Sequence, residues 1–202
     1  MMRHANPVST EFDRFLLNRT LVLIGLMGAG KTSVGKRVAA LLEVPFVDSD
    51  VEIEAAAGMP IPEIFARYGE EGFRDGERRV IARLLTSKPH VLATGGGAFI
   101  QATTRDEILE LGTSVWLRAD VETLWQRVRG KPGRPLLETP DPRATLEALH
   151  RERAPVYALA DVTVDSPPDA SHQSMAERIL ASVWDRDARH PDAPQTLEKV
   201  LP

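Results

Sequence analysis

Cysteine is absent from the 202 residues. That excludes a disulfide framework, a thiolate nucleophile and a cysteine-bound zinc, and it suits a reducing compartment. The five histidines, His4, His90, His150, His172 and His190, are scattered with no pair at metal-ligand spacing, and each reads as a surface or linker residue. The chain has no basic block and a formal net charge of −4, which argues against a nucleic-acid surface. No apolar run approaches the length of a membrane span, so no membrane partner is expected. The opening segment MMRHANPVSTEFDRFLLNR has no apolar core followed by small residues, so it does not read as a secretory signal. What is left is an ordinary globular composition, 43% hydrophobic and 27% charged, expected to fold as one domain in the cytoplasm.

The pattern along the chain is strand alternating with helix. The runs Leu21–Ile24, Val91–Ala93, Ser114–Leu117 and Val162–Val164 read as short buried strands, with Pro45–Val47 as another. Apolar runs without alternation fit a parallel sheet covered on both faces. Between them, Val34, Val38, Leu41 and Leu42 share one helical face, as do Ile108 with Leu111, and Val121 with Leu124 and Val128. The expected fold is therefore an α/β three-layer αβα architecture with right-handed crossovers, its ligands gathered at the carboxyl ends of the strands.

Two segments interrupt this alternation. Residues 49–87 predict two or three helices with no strand, enough for a substrate lobe, and 130–140 (GKPGRPLLETP) has the composition of a mobile lid. Residues 1–19 read as a loose arm with one helical turn near Glu11–Leu17, ahead of a domain spanning 20–184. The segment 185–202, polar and carrying three prolines, reads as a flexible tail.

The strongest chemical signal follows the first apolar run. Gly25-Leu26-Met27-Gly28-Ala29-Gly30-Lys31-Thr32 has the spelling G-x-x-x-x-G-K-[ST], between a predicted strand and a predicted helix. Glycines let the backbone curl so that its N–H groups face a phosphate, and the helix dipole adds to that field. Gly28, Ala29, Gly30, Lys31, Thr32 and Ser33 are thus candidates for binding ATP. Lys31 can reach the β- and γ-phosphates and the Thr32 hydroxyl can ligate Mg²⁺.

Four other patterns stay open on spacing alone. Asp48 and Asp50, at i and i+2 beyond a strand, can orient Mg²⁺ through water or accept a proton, or Ser49 or Asp50 can merely cap a helix. Thr94-Gly95-Gly96-Gly97 demands a close approach of backbone to something, a substrate hydroxyl or the γ-phosphate, or is a plain turn. Arg74 and Glu77 sit at i, i+3, where spacing alone favours a solvated helix face, but a buried pair would aim a guanidinium at a carboxylate. Arg134 on the lid could neutralise charge on the transferred group, Arg127 or Arg129 could reach the nucleotide, and Arg151 or Arg153 could be solvated.

In order, GLMGAGKTSVGKRVA, FVDSD, FRDGE, TGGGA, the RPLL lid and ER-x-P-x-Y-x-x-AD resemble the shikimate kinase family over roughly residues 20–184. The resemblance implies a P-loop kinase fold of the nucleoside-monophosphate-kinase-like type, with a substrate-binding lobe and a lid. It also implies Mg²⁺-dependent transfer of the ATP γ-phosphoryl group to the 3-hydroxyl of shikimate, on the route to chorismate and the aromatic amino acids. By position, it implies Asp50 as base, Asp48 beside Thr32 orienting Mg²⁺ through water, and Arg74 and Arg153 on the substrate carboxylate, Glu77 holding Arg74. It further implies Gly96 and Gly97 contacting substrate, Arg127 flanking adenine, and Arg134 closing onto the phosphates, in a chain expected to act as a monomer. The segment Asp165-Ser166-Pro167-Pro168-Asp169 is shorter than the adenine loop such enzymes carry. A gluconate-kinase-like enzyme or a non-catalytic binding module are the alternatives, and neither explains the full ordered set.

Overall fold

The computed structural model describes residues 14–131 and 135–200. Its elements are β1 (Phe15–Leu17), β2 (Thr20–Ile24), α1 (Lys31–Leu42), β3 (Phe46–Asp48), α2 (Ser49–Ala57), α3 (Ile61–Leu85) and β4 (Val91–Ala93). They continue with α4 (Ala102–Leu111), β5 (Gly112–Arg118), α5 (Val121–Val128), α6 (Pro142–Tyr157), β6 (Val162–Asp165), α7 (His172–Arg189) and β7 (Leu197–Lys199). Five strands form one parallel sheet in the order β3-β4-β2-β5-β6. β2, wholly apolar after Thr20, is buried along its whole length at the centre, as a strand covered on both faces must be. From β2 the chain fills one side of the sheet with β3 and β4, then returns to fill the other with β5 and β6. The crevice at the carboxyl end of β2 is therefore the topological switch point.

Helices cover both faces. α1 packs on α7 and on β3 and β4, while α4 packs on β5 and on α3, as right-handed crossovers require. Val34, Val38 and Leu42 of α1 and Ile108 of α4 point into the core as the periodicity predicts. Leu111 does not: it is 38% exposed, because the helix ends there and the chain turns directly into β5.

Residues 49–87 form two helices, α2 and α3, packed against each other. α3 is broken at Gly69, whose φ of 69° and ψ of −174° place it outside helical space, a conformation that glycine alone adopts without strain. The break separates the first turns of α3 from the segment carrying Arg74 and Glu77, which packs beside α4 and the 98–100 turn. In the 130–140 segment, a single 3₁₀ turn spans Pro135–Leu137.

The two ends differ from the sequence reading. Of the helical turn expected near Glu11–Leu17, residues 11–13 lie outside the described residues and 15–17 form a strand, β1, which pairs antiparallel with β7, Leu17 opposite Leu197. α7 runs to Arg189, well past the boundary at which a tail was expected. The cause is one buried acid. Asp187, 2% exposed, accepts from the Thr196 and Leu197 N–H groups at 2.8 and 2.9 Å, and from Arg186 at 2.9 Å. These bonds tie the polar terminal segment to the domain. His90 is a second departure: it is buried, its Nδ1 near Lys88 O, Thr20 Oγ1 and Ser87 Oγ, so it belongs to the base of the sheet and not to the surface.

Asp187→Ala leaves two buried amides without their acceptor and takes one of several partners from Arg186, and we predict a loss of about 2–4 kcal/mol in urea unfolding. A loss below ~0.5 kcal/mol, the scale of an ordinary surface substitution, would contradict this role.

Candidate active site

The loop between β2 and α1 is built to receive an anion. Gly28 and Gly30 sit at φ of 83° and 97°, where a side chain would strain the backbone. The Ala29 N–H donates to Leu26 O, and the Val34 N–H to Gly30 O opens the helix. α1 begins with no side-chain cap and no acid in its first turn, so its positive end is not neutralised locally. Residues 27–34 line a cavity of about 380 Å³. Gly28, Ala29, Gly30, Lys31, Thr32 and Ser33 are thus brought together as expected. The Lys31 ammonium lies back on its own loop, donating to Gly25 O at 2.7 Å and Leu26 O at 3.2 Å.

The opposite wall of this cavity comes from the turn after β6 and the start of α7: Ser166, Pro168, Ala170, His172 and Met175. Arg127 of α5 stitches the two walls together, donating to Gly28 O (3.4 Å), Ser166 Oγ (3.0 Å) and Pro167 O (2.9 Å). The short 165–169 segment therefore still supplies a wall, with Pro168 and Met175 as apolar surface beside a held guanidinium. Arg129 is exposed and outside the cavity lining. Arg134 lies outside the described residues.

At the mouth of the same loop, Thr32 Oγ1 donates to Asp48 Oδ2 at 3.1 Å. The other Asp48 oxygen accepts the Asp50 N–H at 3.1 Å. So Asp48, and neither Ser49 nor Asp50, caps α2, and it keeps one oxygen beside Thr32. A hydroxyl and a carboxylate oxygen held this close are hard oxygen donors of the kind Mg²⁺ takes. Among the described residues no three acids or histidines gather as a metal cage, so the remaining ligands would be water and phosphate oxygens, the usual arrangement for Mg²⁺ at a nucleotide.

A second cluster forms where α3, the 94–97 run and α6 meet. Arg74 donates to Glu77 at 2.7 Å, and Glu77 is 1% exposed. The exposed Glu70 holds the far side of Arg74 at 3.4 Å. Arg153 donates to Gly96 O at 3.3 Å, and the Tyr157 hydroxyl donates to the same carbonyl. Ser49 Oγ accepts the Gly95 N–H at 3.1 Å. At Gly95 and Gly97 an added side chain would crowd its neighbours, while at Gly96 it would meet only ordinary contacts. A Cβ at Gly97 would sit 2.6 Å from the Arg74 guanidinium, and one at Gly95 2.9 Å from Asp50 Oδ1 and 3.3 Å from Glu77 Oε1. Asp50, Arg74, Glu77, Gly96, Gly97 and Arg153 thus converge around one spot, while Arg151 is exposed.

The electrostatics of this spot are strained in one direction. Burial pushes the Asp50 carboxyl above its ordinary range, the neighbouring Asp48 charge adds to that, and Lys31 pulls part of it back. Burial likewise raises Glu77, against the hydrogen bond and charge of Arg74, with Asp50 adding to the rise. The Nε atoms of Arg74 and Arg153 are buried without a hydrogen-bond partner. Buried guanidinium donors without acceptors call for a ligand that supplies them, and the fork geometry of arginine suits a carboxylate. Tyr157, Glu70 and the start of α7 had no assigned role from sequence; Ser49 stood only as a helix-cap candidate and 165–169 only as a short adenine loop.

A phosphate loop at the switch point of a parallel sheet, beside a helical lobe holding an acid and an arginine and faced by a second arginine from α6, defines a P-loop kinase acting on a small acceptor. The shikimate kinase family model matches residues 27–184. A shikimate kinase from Ruegeria pomeroyi is 56% identical over 92% of this chain and 95% of its own. One from Bradyrhizobium diazoefficiens is 52% identical over 87% and 86%. The structure of a shikimate kinase from Acinetobacter baumannii in complex with shikimate superposes with a TM-score of 0.78 at 40% identity, covering 83% of this chain and 93% of that one. The chain belongs to the shikimate kinase family. A gluconokinase from Sinorhizobium meliloti, TM-score 0.57 at 18% identity, shares the fold alone.

The raised Asp50 value carries a sign that can be measured. A carboxyl raised on folding costs stability while it is ionised. That cost is fully present above its folded-state value and fades as pH falls toward the ordinary aspartate range. We predict that Asp50→Asn melts a few degrees above wild type at pH 7 to 8, with the gain shrinking on acidification toward the ordinary aspartate range. An Asp50→Asn protein that is less stable at every pH would contradict it.

Proposed function

We propose that this chain transfers the γ-phosphoryl group of ATP to the 3-hydroxyl of shikimate. The observation that carries the reading is the convergence of a basic aspartate and two underemployed arginines on the 95–97 glycines, next to the phosphate loop. Arg74 and Arg153 hold the acceptor carboxylate, with Glu77 fixing the Arg74 fork, and the Gly96 and Gly97 backbone lies against the ring. Asp50 takes the proton of the acceptor hydroxyl as its oxygen bonds to the γ-phosphorus and the bond to the bridging oxygen breaks, releasing ADP. Its raised affinity for a proton suits that task. The loop N–H groups, Lys31 and the start of α1 neutralise the phosphates. Thr32, and Asp48 through water, would hold Mg²⁺, which would add to the neutralisation of phosphate charge. Arg127 and Pro168 flank the adenine. Arg134 from the lid completes the positive field over the transferred group, and lid closure keeps water from competing as acceptor.

The described residues of both half-sites come from one chain, which supports action as a monomer. The activity consumes ATP, which supports a cytoplasmic location. Among the described residues no helix is long and apolar enough to cross a membrane.

The test is an assay of the purified chain with ATP, Mg²⁺ and, in parallel, shikimate, gluconate and nucleoside monophosphates. Turnover with shikimate at least ~100-fold above the others is expected, because a site built to hold a carboxylate and ring hydroxyls rejects acceptors that leave those groups unpaired. Preference for another acceptor would overturn the reading. Arg74→Lys should raise the shikimate KM by ~10-fold or more with the ATP KM within about twofold, since a point charge cannot replace the bidentate fork. An unchanged shikimate KM would leave Arg74 as a helix-face ion pair.

A further inference from the structure

The Gly96 carbonyl accepts from two donors at once, the Tyr157 hydroxyl at 2.5 Å and Arg153 Nη1 at 3.3 Å. Of the two, the tyrosine makes the shorter bond, and its ring is fixed: Tyr157 is 2% exposed and packs against Trp116 with ring centroids 6.0 Å apart. Arg153 is differently placed. Its contact with Gly96 is long, and its buried Nε has no partner. One donor is therefore fixed by its packing, while the other is held by a long contact with Gly96 and a hydrogen bond to the Tyr157 hydroxyl.

We propose that Tyr157 is a positioning residue for acceptor binding. Its hydroxyl keeps the Gly96 carbonyl satisfied, so that Arg153 can turn from that carbonyl to the acceptor carboxylate, and it holds the Gly96–Gly97 peptide at one angle against the acceptor ring. Without that hydroxyl, Arg153 is the sole donor to a half-buried carbonyl, and moving it to the ligand orphans an acceptor. Burial pushes the tyrosine hydroxyl up to about 12, so it remains a donor through the working range of pH. Tyr157 itself is not placed to touch the reacting atoms. The inference rests on the shikimate reading above, because it needs a carboxylate for Arg153 to receive.

The experiment compares wild type, Tyr157→Phe, Arg153→Ala and the double variant by steady-state kinetics, calorimetric binding of shikimate and thermal melting. Tyr157→Phe keeps the ring on Trp116 and removes only the O–H. It should raise the shikimate KM and Kd by about tenfold, the scale of one lost hydrogen bond. The ATP KM should stay within about twofold and Tm within ~3 °C. In the Arg153→Ala background the same change should add less than about twofold, because no arginine is left to be held back. An unchanged shikimate KM in Tyr157→Phe overturns the proposal, as do fully additive effects in the double variant. A fall in Tm beyond ~5 °C with both KM values raised alike would make Tyr157 a packing residue, which also overturns it. Wild-type protein that fails to phosphorylate shikimate would instead fail the reading of the site, a result distinct from any of these.

Discussion

A carboxylate buried to 1% exposure cannot stand alone, and Glu77 is that carboxylate. Its charge is tolerable only because Arg74 lies 2.7 Å away. Removing one partner of such a pair costs about 3–5 kcal/mol, since the other is left charged in a poor dielectric. Glu77 therefore dictates where Arg74 stays, and Arg74 in turn dictates what can lie above it. The 95–97 backbone crosses so closely that a single methyl group at Gly97 would strike the guanidinium. Two elements from separate parts of the chain, α3 and the 95–97 backbone, are thus packed in one register around one ion pair.

That register sets the chemistry. Asp50 shares the crowded space and raises the demand of Glu77 for a proton or a cation, while burial, Asp48 and Glu54 raise that of Asp50. Lys31 answers part of that demand from the phosphate loop, which links the acceptor half-site electrostatically to the nucleotide half-site. A basic carboxylate, two guanidiniums with donors to spare and a phosphate cradle then sit within one crevice at the switch point of the sheet. Phosphoryl transfer asks mainly for positioning and charge, and this arrangement supplies both without any reactive side chain beyond an acid. The absence of cysteine and of histidine clusters, the first thing the composition shows, costs such an enzyme nothing.

How much of this was legible in the sequence depended on whether the signal was local. The phosphate loop is spelled in consecutive residues, and its strand and helix follow from the same stretch. The five sheet strands are short apolar runs whose burial needs no partner to be recognised. By contrast, Arg74 and Glu77 at i, i+3 look like any solvated helix face, and only the glycine run packing above them, roughly twenty residues on, buries them. The family resemblance supplied that pairing where spacing could not. The terminal segment is mostly polar, with Leu197, Val200 and Leu201 as its large apolar residues, so nothing local announces that β7 pairs with β1 from the other end of the chain or that Asp187 anchors it. His90 was misjudged for the same reason. A lone histidine carries no sign of burial until the strand ends around it are assembled.

The central claim is that the 74–97–153 cluster is a carboxylate site held open by Glu77. The most direct measurement is calorimetric titration of the protein with shikimate and with its neutral carboxamide, identical except for the charge and one acceptor oxygen. Two guanidiniums that need anionic acceptors predict binding of the carboxamide at least ~30-fold weaker, the scale of charge-assisted against neutral hydrogen bonds, with ATP binding the same in the presence of either. Equal affinity for the two ligands would contradict the account and return the buried ion pair to a purely structural role.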